Sequence, residues 1–220
     1  MRIVFISDTH NQHDYLTIPD GDILIHCGDA TLTGTIQEIS SFANWFSLLP
    51  HKHKVFVAGN HDWLFEKNLS LARSILGADT IYLQDSETTI NGLRIYGSPW
   101  QPTFFNWAFN LDRGERIKRM WDCIPRGLDI LITHGPPQGI LDSTGEYHAG
   151  CEMLSEALER IKPRIHAFGH IHEAYGMVEA NGTRFINGCV LDGDYQLVNE
   201  PIAIEVVNNY SRDILSSLDM

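Results

Sequence analysis

Short runs of apolar and β-branched residues recur along this chain and are separated by stretches with helical spacing. The runs are Ile3 to Ile6, Asp22 to Cys27, Lys54 to Ala58, Leu93 to Tyr96, Asp129 to Thr133 and Arg164 to Phe168. Apolar runs of this length, bounded by turn residues, are typical of strands buried on both faces. Their alternation with helical segments predicts an α/β fold.

The segments between the strands carry helix signals. Thr35 and Glu38 form a capping-box pattern, and apolar residues follow at helical spacing until Pro50. Further helices are predicted over 62–76, 112–123 and 150–161, each ending close to a Gly or a Pro. The early part of the chain therefore has a β-α-β order.

Two Asn-Gly dipeptides indicate that antiparallel hairpins join these strands. Asn91-Gly92 separates Thr88 to Ile90 from Leu93 to Tyr96, and Asn181-Gly182 separates Tyr175 to Val178 from Thr183 to Ile186. Asn-Gly between strand-like segments is the strongest short-range hairpin signal. We therefore expect two packed, mixed sheets flanked by helices rather than one doubly wound sheet.

The size and charge of the chain limit its organisation and its partners. Its 220 residues suit a single domain, expected over 1–208, followed by a polar C-terminal tail at 209–220. A formal net charge of −12 opposes binding of an extended nucleic acid, whose phosphates need clustered Lys and Arg. A small phosphoester bound at a local cationic centre is compatible with this charge.

Two patterns predict a cytoplasmic protein without a membrane partner, and they leave its oligomeric state open. The first strand-like run starts directly after Met1, without a basic and apolar leader, and no apolar run approaches the roughly 18 residues of a membrane helix. The four cysteines, at positions 27, 123, 151 and 189, show no paired spacing and are expected to be buried thiols.

Five of the predicted strands end in short groups of potential metal ligands. The groups are Asp8 with His10, Asp29, Asn60 with His61, His134, and His170 with His172. The carboxyl ends of parallel strands meet at one edge of a sheet, so these side chains are expected to converge. Gly28, Gly59 and Gly169 precede three of the groups and would permit a positive φ or a tight turn that directs the next side chain inward. Each group alone suits an ordinary loop, but the ordered set indicates a metal centre.

These motifs carry a family resemblance. In this order, Asp8-x-His10, Gly28-Asp29, Gly59-Asn60-His61-Asp62, His134 and Gly169-His170-x-His172 resemble the five motifs of the calcineurin-like metallophosphoesterases. The resemblance spans 8–172 and implies a four-layer α/β/β/α sandwich with a binuclear metal centre at one edge. The chain is most similar to the metallophosphoesterase-domain-containing (MPPED) subgroup, through Gly97 to Pro102, Asn106 to Asn110, Thr133 to Pro137 and His172 to Gly176.

The resemblance also implies which residues bind each metal. Asp8, His10, Asp29 and His172 would hold the first ion, and Asp29, Asn60, His134 and His170 the second, so that Asp29 bridges the two. Mixed carboxylate, imidazole and amide ligands suit Mn²⁺, Fe or Zn²⁺ better than Ca²⁺, and the resemblance favours Mn²⁺. Two such ions, about 3.5 to 4 Å apart, would share a water whose pKa falls toward about 7, and the resulting hydroxide would attack phosphorus.

The same pattern assigns roles to residues beside the ligands. His61 is expected to lie outside the metal shell and to protonate the leaving group, a task that suits an imidazole. Asp62 is expected to orient and charge-stabilise His61, although a carboxylate at the start of a helix needs no catalytic role. Asn60 is expected to contact the substrate as well as a metal.

Trp100 and His148 are further candidates for substrate binding. Trp100 belongs to an aromatic group with Phe104, Phe105 and Trp107, which could stack a flat substrate or fold over its own small cluster. His148 lies near Gly150-Cys151, at the predicted mouth of the site.

Thr33 bears on the class of substrate. Protein phosphatases of the same class resemble Gly-Asp-x-x-Asp-Arg-Gly at the second motif, whereas positions 28–34 here read Gly-Asp-Ala-Thr-Leu-Thr-Gly, with Thr33 at the Arg position. A guanidinium fork suits a dianionic phosphomonoester, so its absence favours diesters, including cyclic nucleotides. A phosphomonoesterase or protein phosphatase, a nuclease and a non-catalytic interaction scaffold are the alternatives.

Overall fold

The computed structural model describes residues 1–207, and the predicted tail at 209–220 lies outside the described residues. The strands are β1 (Arg2–Ile6), β2 (Ile23–His26), β3 (His53–Phe56), β4 (Thr80–Tyr82), β5 (Ser86–Ile90), β6 (Leu93–Ser98), β7 (Gln101–Pro102), β8 (Asn110–Leu111), β9 (Ile130–Thr133), β10 (Ile165–Phe168), β11 (Gly176–Ala180), β12 (Thr183–Asn187) and β13 (Ile202–Glu205). The helices are α1 (Ile36–Leu48), α2 (Trp63–Lys67), α3 (Leu69–Leu76), α4 (Glu115–Asp122) and α5 (Glu152–Ile161), with 3₁₀ turns at His13–Tyr15 and His172–Ala174.

The strands form two large mixed sheets and one short ladder. The first sheet has the order β13-β1-β2-β3-β4, in which β1 to β4 are parallel and β13 is antiparallel. The second sheet has the order β11-β12-β10-β9-β6-β5, with antiparallel strands β11 and β5 at its two edges. The antiparallel pairs β5–β6 and β11–β12 confirm both Asn-Gly hairpins.

Successive residues of the central strands face different layers, as the two-residue period of a strand requires. In β1, Phe5 belongs to the apolar cluster between the sheets with Ile132 of β9, whereas Val4 packs in the cluster that contains Phe42 of α1. In β9, Leu131 packs on the opposite side in the cluster formed with α4 and α5. Helices therefore cover the outer face of each sheet, which confirms the four-layer α/β/β/α sandwich.

The helix predicted over 62–76 is broken in the structure. Asn68 has a non-helical backbone between α2 and α3, and its Oδ1 accepts the backbone N–H of Leu71 at 3.2 Å. Asparagine is a strong N-cap residue, so it starts a new helix where the apolar spacing predicted a continuous one. The capping box of α1, formed by Thr35 and Glu38, is confirmed.

Two further expectations concern buried thiols and membrane-spanning helices. Cys27, Cys151 and Cys189 are buried free thiols, as predicted, whereas Cys123 is exposed because it follows the last residue of α4 on the surface. No helix within residues 1–207 is long and apolar enough to cross a bilayer.

Candidate metal centre

Polar side chains from the carboxyl ends of several strands meet at one edge of the sandwich. Among residues 1–207, three groups have possible ligand atoms within 4.8 Å of one another: Asp8, His172 and Cys189; His10, Asp29 and His61; and Asp29, His134 and His170. The remaining predicted ligand, Asn60, places its Oδ1 2.9 Å from His134 Nε2. The structure thus brings the seven predicted ligands to one place, together with His61 and Cys189.

Asp29 lies between the two halves of this centre. Its Oδ2 is 3.7 Å from His10 Nε2 on one side and 3.4 Å from His134 Nε2 on the other. Asp8 belongs to the first half, since its Oδ1 is 3.4 Å from His172 Nε2 and 3.9 Å from His10 Nε2. This is the arrangement that a bridging carboxylate requires.

Three of the histidines have their ring orientation set by backbone carbonyls. His10 Nδ1 lies 3.1 Å from the Thr31 oxygen, His134 Nδ1 lies 3.1 Å from the Cys27 oxygen, and His172 Nδ1 lies 2.9 Å from the Asp192 oxygen. A carbonyl only accepts hydrogen bonds, so each Nδ1 carries a proton and each Nε2 faces the centre. Metal-binding histidines are usually oriented in this way.

The atoms at the centre fit a divalent metal. Asp8 Oδ1 and His10 Nε2 are buried and have no hydrogen-bond partner among the described residues. Buried polar atoms without a partner are rare in folded proteins, and a bound cation would satisfy both of these atoms. Carboxylate oxygens with imidazole nitrogens form a donor set suited to Mn²⁺, Fe or Zn²⁺.

The backbone is strained where it presents these side chains. Left-handed φ angles occur at Asp8 (56°), His10 (38°), Asp29 (55°) and His170 (70°). Non-glycine residues in this region cluster at functional sites. Among the three glycines expected to turn these loops, Gly28 has a positive φ of 116°, whereas Gly59 and Gly169 do not. Of the two expected alternatives, a positive φ or a tight turn, the positive φ is therefore confirmed at Gly28 only.

Gly59 and Gly169 are required by close approach instead. A Cβ at Gly59 would lie 2.2 Å from Asp29 Oδ1, and a Cβ at Gly169 would lie 2.0 Å from Asp8 Oδ2. Both distances are far shorter than a van der Waals contact. The two backbones thus form part of the wall against which the Asp29 and Asp8 carboxylates rest.

Gly169→Ala is expected to lower metal content without unfolding the protein, because the added methyl group displaces the Asp8 carboxylate. Metal analysis after reconstitution, with circular dichroism as the folding check, would measure this. The matched control is Gly135→Ala, whose Cβ would meet Gln101 at an ordinary 3.7 Å. Equal metal content in both variants would contradict the assigned role of Asp8.

Burial and neighbouring charges set the protonation of the metal-free centre. Burial raises the pKa of Asp8, but the nearby charge of His172, whose Nε2 lies 3.4 Å from Asp8 Oδ1, outweighs it and holds that pKa well below 3.8. Burial lowers the pKa values of His134 and His172, yet Asp29 and Asp8 respectively raise them to about 9. A metal binds only the neutral ring, so metal binding at these two nitrogens releases protons.

His61 lies at the rim of the same centre. Its Nδ1 is 2.7 Å from the Leu32 carbonyl oxygen, and its Nε2 is 4.0 Å from Asp29 Oδ2. Its backbone N–H donates to Asp29 Oδ1 at 2.8 Å. The imidazole therefore presents Nε2 to the cleft beside the Asp29 carboxylate.

Asp62 contacts the two neighbouring loops, and its predicted support of His61 stays a prediction. Its buried carboxylate accepts the backbone N–H of Gly59 at 2.8 Å, and the backbone N–H and hydroxyl of Thr31 at 3.1 and 2.8 Å. Within the described chain, the group that orients the His61 ring is thus the Leu32 carbonyl, and Asp62 joins the two loops that carry Asp29 and Asn60. Burial, with a smaller effect of Asp29, raises the pKa of Asp62 to about 6.

A cleft of about 640 Å³ opens over the centre. Its floor includes Asn60 and His61, and its walls include Phe104, Arg113 and Tyr195. A volume of this size suits a small molecule rather than a folded partner. Asn60 is therefore placed where the sequence expects a substrate contact.

Trp100 and His148 are not among the residues that line this cleft, and their assignment to substrate binding stays a prediction. Trp100 Nε1 donates to Asp85 Oδ2 at 2.7 Å, and its ring meets Phe109 edge-on with centroids 5.6 Å apart. His148 Nδ1 pairs with Asp142 Oδ1 at 2.7 Å, and 62% of its side chain faces solvent. The neighbour of His148, Tyr147, lines the cleft instead.

Sequence reasoning missed Cys189 and Tyr195 at the centre, and it named Trp107 only as a member of an aromatic group, without its contact to His61. Cys189 Sγ donates to Asp8 Oδ2 at 3.1 Å; it follows Gly188 at the end of β12, so the strand-end pattern could have identified it. The Tyr195 ring lies 4.9 Å from the His10 ring and 5.0 Å from the His172 ring, between ring centroids. Trp107 stacks on His61 with ring centroids 3.9 Å apart. Tyr195 has no local sequence signal, and the aromatic group that contains Trp107 gives no sign of a contact with His61.

This fold and this cluster of carboxylates and histidines define a metal-dependent phosphoesterase. Residues 1–174 match the calcineurin-like phosphoesterase family, and the chain belongs to that family. Metal-dependent hydrolysis of phosphoesters is the activity of this class.

Relatives and a structural neighbour agree with this assignment. The chain is 42% identical over 231 aligned residues to human metallophosphoesterase domain-containing protein 1, with 93% of this chain and 71% of that protein covered. The mouse protein of the same name matches with the same values. The structure of TT1561 of Thermus thermophilus has a TM-score of 0.57 at 13% identity, over 84% of this chain and 88% of that chain, which shows likeness of fold alone.

Proposed function

We propose that this chain hydrolyses small phosphodiesters, including cyclic nucleotides, at a binuclear centre formed by the residues predicted as ligands. The observation that carries the proposal is the position of Asp29 between His10 and His134, with each Nε2 within 3.7 Å of its carboxylate. Two divalent cations bound there would polarise the phosphoryl oxygens and lower the pKa of a coordinated water toward about 7. Mn²⁺ is the proposed metal.

In this proposal the protein supplies orientation and a proton. Asn60 and the histidine ring nitrogens hold the metal side of the cleft, while the His61 Nε2 faces the cleft from the rim. His61 donates a proton to the oxygen that leaves phosphorus, and the Leu32 carbonyl retains the Nδ1 proton throughout. Asp29 and His134 are almost completely buried, so the metal side of the site meets solvent only through the cleft.

The preference for diesters is supported by the surroundings of Thr33 and Arg113. Thr33 Oγ1 donates to Glu38 Oε2 at 2.8 Å, so the residue at the Arg position of the protein phosphatases is turned away from the substrate. Arg113 lines the cleft, but its guanidinium donates to the carbonyls of Ala149 and Gly150 and to Glu152. Neither residue provides a free fork for a dianionic monoester.

We propose a cytoplasmic location because the cysteines are free thiols. All four cysteines are free, including Cys27 and Cys189 in the interior of the sandwich. Free thiols persist in a reducing compartment, where disulfides are rare.

A turnover panel would test the proposed substrate class. Mn²⁺-loaded protein is expected to cleave a nitrophenyl diester and 2′,3′- or 3′,5′-cyclic nucleotides at least about tenfold more efficiently than a nitrophenyl monoester, because a charge-assisted bond is missing for the second negative charge. Chelated protein is the control and should regain activity with Mn²⁺. A strong preference for the monoester would overturn the diester proposal while leaving metal dependence intact.

A further inference from the structure

The indole of Trp107 lies flat against the imidazole of His61. The two ring centroids are 3.9 Å apart and the ring planes are inclined by 24°. On another side, the His10 ring meets His61 edge-on, with centroids 4.6 Å apart and planes inclined by 82°. The aromatic contacts thus restrict rotation of the His61 ring.

The segment that carries Trp107 is attached directly to the segment that carries His61. The backbone N–H of Ala108 donates to the Asn60 carbonyl at 3.0 Å, and the backbone N–H of Phe109 donates to Glu66 Oε1 at 2.8 Å. Both bonds directly follow Trp107 in the chain and tie it to the 60–66 segment. The indole is therefore held against His61 by its own backbone rather than by loop packing alone.

The opposite constraint on His61 comes from Leu32. Its carbonyl accepts the Nδ1 proton of His61 at 2.7 Å, and its own N–H donates to Glu38 Oε1 at 3.1 Å. Glu38 also accepts the backbone N–H of Thr35 and lies in the first turn of α1. Helix α1 therefore fixes the Leu32 carbonyl, which in turn holds Nδ1 of the His61 ring.

We propose that Trp107 is a positioning residue that holds the His61 imidazole with Nε2 toward the metal centre. The single hydrogen bond to Leu32 holds one ring atom of His61 in place but leaves the ring free to tilt about that atom. A stacked indole resists this tilting. Resting on the proposed acid role of His61, the second part of the inference is that Trp107 controls cleavage of esters with poor leaving groups. Such leaving groups need an accurately placed proton, whereas nitrophenolate leaves without one.

The first test observes the ring itself in the metal-free protein, without reference to activity. The indole shields the carbon-bound ring protons of His61, which can be assigned by their loss in His61→Gln. Trp107→Ala is expected to move these NMR signals downfield, and Trp107→Phe to retain much of the shielding. Phe105→Ala is the matched control, because Phe105 lies in the same loop, is 78% exposed and contacts Phe104 rather than His61.

The second test measures kcat and KM of the Mn²⁺-loaded full chain with phenyl and 4-nitrophenyl phosphodiesters. Trp107→Ala should lower kcat about tenfold for the phenyl ester and less than about threefold for the nitrophenyl ester. The tenfold loss is smaller than the usual contribution of general acid catalysis, because His61 itself is still present. KM should change little, and Trp107→Phe should restore most of the loss.

The outcomes separate this inference from the proposed function. Unchanged His61 signals in Trp107→Ala would overturn the positioning role, whatever the kinetics. Shifted signals with equal losses for both esters would overturn the effect on leaving groups. If the wild-type protein cleaved no phosphoester with any metal, the proposed function would fail, while unchanged His61 signals in Trp107→Ala would still overturn the positioning role.

Discussion

Asp29→Ala is expected to abolish metal-dependent hydrolysis, with kcat reduced about 10³-fold or more, because Lewis-acid stabilisation worth several kcal/mol is lost. Asp29 is the carboxylate common to both halves of the centre, with His10 on one side and His134 on the other. Its Oδ1 also accepts the backbone N–H of His61 at 2.8 Å. The substitution therefore removes a shared ligand and frees the loop that carries the proposed acid.

Metal analysis and activity must be measured on the same preparations of Asp29→Ala. The expected result is loss of bound metal together with loss of turnover, and excess Mn²⁺ should restore neither fully. Asp79→Ala is the control, since Asp79 is an exposed carboxylate just before β4. Wild-type turnover by Asp29→Ala, or turnover that survives chelation, would exclude the two-metal centre.

The sequence was sufficient for the parts of the site that depend on strand ends. Each predicted ligand follows an apolar run, and parallel strands place their carboxyl ends at one edge. Asp8, Asp29 and His134 therefore converge through sheet topology, although they are far apart in the chain. The two hairpins were equally predictable, because Asn-Gly encodes its turn locally.

Contacts made by the backbone and by distant loops could not be predicted in this way. The His61 ring is hydrogen-bonded to the backbone carbonyl of Leu32. Every residue has a backbone carbonyl, so the sequence does not indicate that Leu32 is the partner. Trp107 reaches His61 from a loop beyond β7, and its aromatic neighbours gave equal support to a substrate platform. Prediction from local sequence also failed at Asn68. Its capping hydrogen bond divides one predicted helix into two, although the apolar spacing is continuous.

The glycines illustrate how the right residues can be identified for an incomplete reason. Gly28 adopts the positive φ expected of a glycine before a turned side chain. At Gly59 and Gly169 the constraint is instead the distance to a carboxylate, which depends on strands from elsewhere in the chain. At the centre the strained backbone belongs to the ligands themselves, including Asp8 and Asp29. Strain of this kind persists only where the surrounding fold enforces it.

His61→Ala is expected to divide substrates by their leaving group. For an alkyl phosphodiester, kcat should fall about 10²-fold or more, and for a 4-nitrophenyl diester less than about fivefold, because only the alkoxide needs a proton as it departs. His53→Ala is the control, since His53 starts β3 at the end opposite the metal centre. Both variants should be compared at equal metal content.

Metal content also decides between two roles that the geometry of His61 allows. Its Nε2 lies within 4.8 Å of the ligand atoms of His10 and Asp29, close enough for a metal ligand as well as for an acid. An acid outside the metal shell can be removed with both metals retained, whereas loss of a ligand lowers the affinity for metal. Full metal content with a leaving-group-dependent loss therefore identifies an acid, and reduced content with equal losses for both esters identifies a ligand.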